Sequence, residues 1–534
     1  MKSITYYISI ICILLTLQSC QKSAISNQEN LVFRYNESAN IQTLDPAFAR
    51  NQAILWPCNQ LFNGLVQLDD SLQIQADIAK SWTVDSTGKK YTFQLRNNVY
   101  FHPHINFGKD SLRTVVASDF VYSFDRLRAA STASPGAWIL QKVAGYKAVN
   151  DSVFEIELKE SFPAFLGLLT MKYASVVPRE VLDDETQDFR SHPIGTGPFY
   201  FKFWEENIKL VLRKNPRYFE KDQQGKALPY LESVAITFLP DKQSAFLQFI
   251  QGKLDFISGL DPSYTDEIIT EEGQLRSKYA DRIQMVTGPY LNTEYLGFNL
   301  DSNEKALRDI RIRKALNIGF DRNKMLLYLR NGMGSAHVSG IIPEGLAGYN
   351  TKNKVVFDAD QAKSLVADFV RETGVKPVLT LSTNASYIDI AEYLQREWQK
   401  IGVEVKVDVS PPATLRQGIA TGKVSFFRGS WVADYPDAEN YLSLFYSNNK
   451  APNGPNYTRY SNQQYDQIYD ASFSEIDPAK RAQLYSEMDQ WIYREVPIIV
   501  LFYDRVARFS QKNIQGLGIN PMNSLQLKKV KKQL

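Results

Sequence analysis

Between Val378 and Val409 the chain carries a strand-helix-strand pattern that restricts its fold more than any other segment does. Val378 to Leu381 is a short apolar strand, and Asn384 and Ser386 offer caps to a following helix. The apolar positions Ile390, Ala391, Leu394, Trp398 and Ile401 recur at helical spacing. Gly402 ends that helix, and Val403, Val405, Val407 and Val409 then alternate as a strand. Such a unit normally closes as a right-handed parallel crossover, which commits this part of the chain to α/β layering.

Period-two runs elsewhere predict further strands: Tyr91 to Leu95, Phe154 to Leu158, Ile208 to Leu212 and Val234 to Leu239. Helices are predicted over Asp119 to Arg128 after a Ser118 cap and over Asp241 to Gln251, closed by Gly252. Others are predicted over Ala306 to Ile318, Lys324 to Leu329 and Gln483 to Arg494, the last followed by a strand from Pro497 to Tyr503. With 534 residues the chain exceeds what one core usually holds, so at least two lobes are expected. No internal repeat or low-complexity linker interrupts the pattern.

The start of the chain sets the compartment. Lys2 precedes an apolar run from Ile4 to Leu17, shorter than the ~20 residues that span a bilayer and suited to a secretory signal. Leu17-Gln18-Ser19-Cys20 resembles the lipobox of bacterial lipoproteins, which implies cleavage before Cys20 and its acylation. Residues 1–19 are then the signal peptide and 20–30 the anchor and polar tether. Two or more acyl chains give stable membrane attachment. Without Cys12 and Cys20, only Cys58 remains, so no internal disulfide is available. The residues after Cys20 carry no acidic cluster, and a membrane-anchored lipoprotein facing the periplasm is expected.

A net charge of +3 on so large a chain gives no reason to expect nucleic acid. The catalytic motifs searched for are missing: there is no Gly-x-Ser-x-Gly, His-Glu-x-x-His, Cys-x-x-Cys or phosphate-binding loop. Neither an enzyme nor a cofactor or metal site is expected. His102-Pro103-His104 is the single close histidine pair, and the proline argues against a strand that would aim both at one ion. Chemistry concentrates instead between Phe427 and Leu442, where Arg428, Trp431, Asp434, Tyr435, Asp437 and Glu439 cluster around Gly429 and Pro436. A peptide presents a fixed ammonium and a fixed carboxylate, and Asp434 suits the first. Trp431 offers an apolar wall, and Arg428 suits either a ligand carboxylate or the local acids. A solvated acidic turn with Trp431 in the core accounts for the same composition.

An ordered series of short motifs runs through nearly the whole chain after Leu31. It opens with Thr43-Leu44-Asp45-Pro46 and Leu61-Phe62-Asn63-Gly64-Leu65, followed by Ile78-Ala79-Lys80-Ser81-Trp82. Ala117-Ser118-Asp119-Phe120 and Gly195-Thr196-Gly197-Pro198-Phe199 come next, then Arg213-Lys214-Asn215-Pro216, and the segment from Trp431 to Leu442 closes it. This series resembles the peptide/nickel group (family 5) of extracellular solute-binding proteins that serve ABC transporters. The resemblance implies a two-lobed periplasmic-binding-protein-like α/β fold of type II, with a hinge and an extra subdomain. Lobe I would comprise 31–64, 191–290 and 502–534, the subdomain 65–190, and lobe II 291–501. It also implies a monomer that captures a peptide or other small ligand between its lobes and passes it to a permease. His102 would belong to a structural strand end. Asp434 matches the aspartate that pairs a peptide's ammonium, and Arg428 a residue near the ligand carboxylate. Tyr435 belongs to the same ligand-facing segment. Arg50 stands where some oligopeptide binders carry an acid, which would favour an anionic ligand or a shorter peptide. The family also takes oligosaccharides, opines, haem and nickel chelates, so the cargo stays open.

Overall fold

A computed structural model describes residues 31–259 and 262–533. The expected signal peptide and the acylated Cys20 lie outside the described residues. Ten strands form one continuous sheet: β1 (Val32–Asn36), β2 (Phe199–Glu205), β3 (Lys209–Lys214), β4 (Ser233–Thr237), β5 (Phe256–Ser258), β6 (Ile283–Phe298), β7 (Val378–Thr383), β8 (Glu404–Val409), β9 (Phe426–Val432) and β10 (Ile498–Gln511). Their spatial order is β8-β7-β9-β6-β10-β5-β1-β4-β3-β2. The crossover expected from sequence is present. β7 and β8 pair in parallel from Val378 opposite Glu404 to Thr383 opposite Val409. The helix Ile388–Lys400 between them buries Ile390, Ala391, Leu394 and Trp398.

β6 and β10 run the length of both halves and hold the molecule together. They pair antiparallel from Ile283 opposite Gln511 to Pro289 opposite Arg505, lose register, and resume at Thr293 opposite Tyr503. Pro289 has no N–H to offer the ladder, so the irregularity falls where the chemistry allows it. On one side of this break β10 pairs antiparallel with β5. On the other, β6 pairs with β9 from Asn292 to Phe298. Each side has its own core: Phe33, Tyr35, Trp56 and Phe199 on the first, and Leu296, Phe298, Trp398 and Phe426 on the second. A separate four-stranded antiparallel sheet (Ala79–Val84, Lys90–Leu95, Val143–Asn150, Val153–Leu158) packs under the helix Ala117–Arg128. Phe93, Phe120, Phe124 and Phe154 fill that core. The architecture is mixed α/β and two-lobed. No helix among the described residues is long and apolar enough to cross a membrane.

Several elements depart from the sequence pattern for local reasons. Ser118 is not a cap: Val116 precedes the helix, and the Asp119 carboxylate accepts from its backbone N–H at 2.8 Å. The helix expected over Ala306 to Ile318 is split, because Asp309 caps a new start at Ile310–Ile318. The late helix begins earlier, at Pro478, whose missing N–H costs nothing in a first turn. The strand predicted from Pro497 to Tyr503 extends eight residues further, to Gln511, through polar residues that hide its pattern.

A long loop after Ser335 docks on that late helix through Asp489. One Asp489 oxygen accepts from the backbone N–H groups of Ile341 (2.7 Å) and Ile342 (3.2 Å). Burial pushes the carboxyl from 3.8 up to about 7. The folded state therefore favours its protonated form, and its contribution to stability is lost as pH rises from about 4 through about 7. Asp489→Ala leaves both N–H groups buried and unpaired, at about 1–3 kcal/mol each. Chemical denaturation is expected to show a clear loss of stability in this variant, widest at pH 5 and narrower at pH 8.

Candidate functional site

The turn that follows β9 carries three carboxylates, and the fold assigns each a different environment. Asp437 is pushed above its usual pKa by burial and accepts from the backbone N–H of Glu439 at 2.9 Å. Glu439, 6% exposed, accepts the hydroxyls of both Tyr435 and Tyr469. Its pKa is raised by burial. Asp434 alone is exposed, and among the described residues no cation lies within ion-pairing distance of it. Protein crowding around its recess nevertheless raises its pKa, an effect that a hydrogen bond with Asn440 opposes.

Asp434 lines a cavity of about 430 Å³ whose walls come from separate stretches of chain. Arg50 and Trp56 border it on one side, Trp138, Lys172 and Tyr173 on another, and Tyr290 at the register break of β6. The Tyr173 hydroxyl is pushed up first by burial and then by Asp434, while Arg50 pulls it down, so both charges act on one ring. The cavity thus holds a carboxylate and a guanidinium among aromatic lining residues, an arrangement suited to a small ligand with charge of both signs.

The backbone around Asp434 is pinned. The N–H of Ala433 donates to Leu291 O at 2.9 Å, which ties the turn to β6. Asn440 accepts from Trp431 Nε1 at 2.8 Å and from the Asp434 N–H at 3.4 Å. Trp431 is half-buried and packs on the core around Tyr441 and Met488. Tyr435 is buried in the core of the four-stranded subdomain, beside Trp138 and Phe162, and so joins that subdomain to the turn.

Arg428 does not line the cavity. Its guanidinium pairs with Glu294 on the neighbouring β6 and lies 3.3 Å from the centre of the Tyr387 ring. Arg50, in contrast, is exposed at the cavity wall. His102 is buried, with Nε2 3.0 Å from Gly197 O and Nδ1 accepting from Gly195 N–H at 3.2 Å. Burial lowers it to about 4, which makes it a neutral structural side chain. Lys172, Tyr173 and Trp138 carry no local pattern that marks them, and the aromatic content of 12% is a hint only for the two rings; Asn440 lies inside the segment from Phe427 to Leu442 that composition singles out.

Residues 73–453 match the family described as "Bacterial extracellular solute-binding proteins, family 5 Middle". The glutathione-binding protein GsiB of Salmonella typhimurium is 25% identical over 491 residues, covering 90% of this chain and 91% of that protein. A dipeptide-binding protein of Escherichia coli K12 is 23% identical over 485 residues, covering 86% and 87%. Among solved structures, HbpA2 from Haemophilus parasuis superposes with a TM-score of 0.83 at 22% identity, covering 94% of this chain and 100% of that one. Both sequence relatives are binding proteins by name.

Proposed function

The chain belongs to the bacterial extracellular solute-binding proteins of family 5, and we propose that it captures short peptides in the cavity beside Asp434 and delivers them to an ABC permease. The observation that carries this reading is that a solvent-reachable carboxylate and a guanidinium, both without an ion pair among the described residues, line one space of about 430 Å³. Relatives that bind glutathione and dipeptides support the class of cargo. Asp434 holds the peptide ammonium, Arg50 meets carboxylate at the other wall, and Trp138 and Tyr173 enclose the backbone.

Capture proceeds by closure of the two lobes about β6 and β10, a motion supported by the broken register between Pro289 and Thr293. The moving bodies are lobe I (31–64, 191–290, 502–534) with its subdomain (65–190), and lobe II (291–501). An acylated Cys20 holds the protein at the membrane beside its permease, on the periplasmic side.

Calorimetric titration with Ala-Ala and N-acetyl-Ala-Ala tests this reading. A charge-assisted bond contributes about 1.5–3 kcal/mol, so acetylation is expected to weaken binding roughly 10- to 150-fold. Equal affinity of the two ligands removes the ammonium from the mechanism. Binding needs the ionised carboxylate, and Asp434 is raised above its ordinary value of 3.8. Affinity for Ala-Ala is therefore expected to decline on acidification at a higher pH than an unperturbed aspartate would give.

A further inference from the structure

Among the described residues, three charged side chains line the cavity: Asp434, Arg50 and Lys172. Several cations of the molecule are committed to carboxylates, as Arg428 is to Glu294 and Arg126 to Asp45. Arg50 and Lys172 are not. Among the described residues neither has a carboxylate within ion-pairing distance, and the Lys172 ammonium donates only to the neutral Phe62 carbonyl, at 3.3 Å.

Asp77 is the acid that acts most on Lys172, from behind the cavity wall. Its carboxylate is already engaged, accepting from Asn63 Nδ2 at 2.8 Å and Gly64 N–H at 3.2 Å, and it compensates Lys172 only at a distance. Burial lowers the Lys172 pKa, the sign of an ammonium short of solvation.

A zwitterionic dipeptide brings one ammonium and one carboxylate. It satisfies Asp434 and one of the two cations, and leaves the other enclosed beneath a neutral ligand. Covering an unpaired cation is unfavourable, and a second ligand carboxylate removes that penalty. We propose, resting on the peptide reading above, that Arg50 and Lys172 together select peptides bearing a second carboxylate, either as an acidic side chain or as a side-chain-linked acidic residue. A basic side chain adds a further cation to the same space and is rejected by like-charge repulsion.

Calorimetry of the full chain with Ala-Glu, Ala-Ala and Ala-Lys tests the proposal. Ala-Glu is expected to bind at least about tenfold tighter than Ala-Ala, with Ala-Lys the weakest, since close charge complementarity is worth more than a factor of ten. In Lys172→Met the ratio of Ala-Glu to Ala-Ala affinity is expected to contract toward one; an unchanged ratio removes Lys172 from the selection. The wild-type series stands alone should that variant fold poorly. Ala-Lys binding as tightly as Ala-Glu overturns charge selection. If all three bind alike and acetylation still weakens each, selection falls and the peptide reading stands. If none binds, both fall.

Discussion

Asp434→Ala is expected to weaken peptide binding by roughly 100-fold or more while leaving the unfolding transition within about 0.5 kcal/mol of wild type. Both halves of that expectation come from the same geometry. The side chain is exposed and has no cation to abandon among the described residues, so truncation strands nothing inside the protein. Its backbone keeps its place, because the N–H of Ala433 still donates to Leu291 O. What disappears is the counter-charge for an ammonium enclosed between aromatic walls, where screening by water is weak. Asp434→Asn retains the shape and one acceptor oxygen and loses the charge, so its affinity is expected to fall between the two. Calorimetry and a thermal melt on the same samples separate the outcomes. Unchanged affinity in Asp434→Ala removes the ammonium anchor from this position, and a large drop in stability reassigns the side chain to the fold.

Local periodicity read the crossover from Val378 to Val409 correctly because each of its elements buries one face. The helix stripe Ile390, Leu394 and Trp398 and the leading valines Val403 and Val405 report that burial directly, whereas Val409 at the end of the alternation is exposed. Of the two strands that join the lobes, β10 was legible only as far as Tyr503, and β6 was not legible by the same means. β6 contains Gly288, Pro289, Asn292, Thr293 and Glu294, and its neighbours change along its length from β10 alone to β10 and β9 together. A strand whose two faces meet different surroundings at each end carries no single period.

The site divides in the same way. The segment from Phe427 to Leu442 stood out by composition, yet composition does not distinguish its three acids. Glu439 is withdrawn from the cavity by Tyr469, thirty residues later in the chain, and by Tyr435. Asp434 stays available because nothing arrives to pair it. Lys172 and Tyr173 come from the subdomain, more than 250 residues before Asp434, and only the tertiary fold brings them to one wall.

Arg428→Ala is expected to destabilise the protein by about 3–5 kcal/mol, the cost of leaving one member of a buried ion pair uncompensated. Arg428 is 12% exposed at its side chain and Glu294 only 3%. Without the guanidinium, the Glu294 carboxylate keeps Asn292 Nδ2 at 3.0 Å and the Tyr387 hydroxyl at 3.4 Å, two neutral donors for a full charge. The Tyr387 ring also loses the nearer of the two guanidinium groups over it, keeping Arg330 at 5.8 Å. A charge that serves the fold and one that serves a ligand carboxylate respond differently to removal of the partner. Glu294→Gln is expected to relieve most of the defect of Arg428→Ala, because the buried charge leaves with it; the double variant should then recover stability that each single change loses. The first denaturant transition and the Ala-Ala affinity, measured on all four proteins, decide the matter. If Arg428 is chiefly a partner for Glu294, stability moves and is rescued while affinity follows the folded fraction. A loss of affinity that persists in the stable double variant instead places the guanidinium in ligand capture, reached only when the lobes rearrange around a peptide.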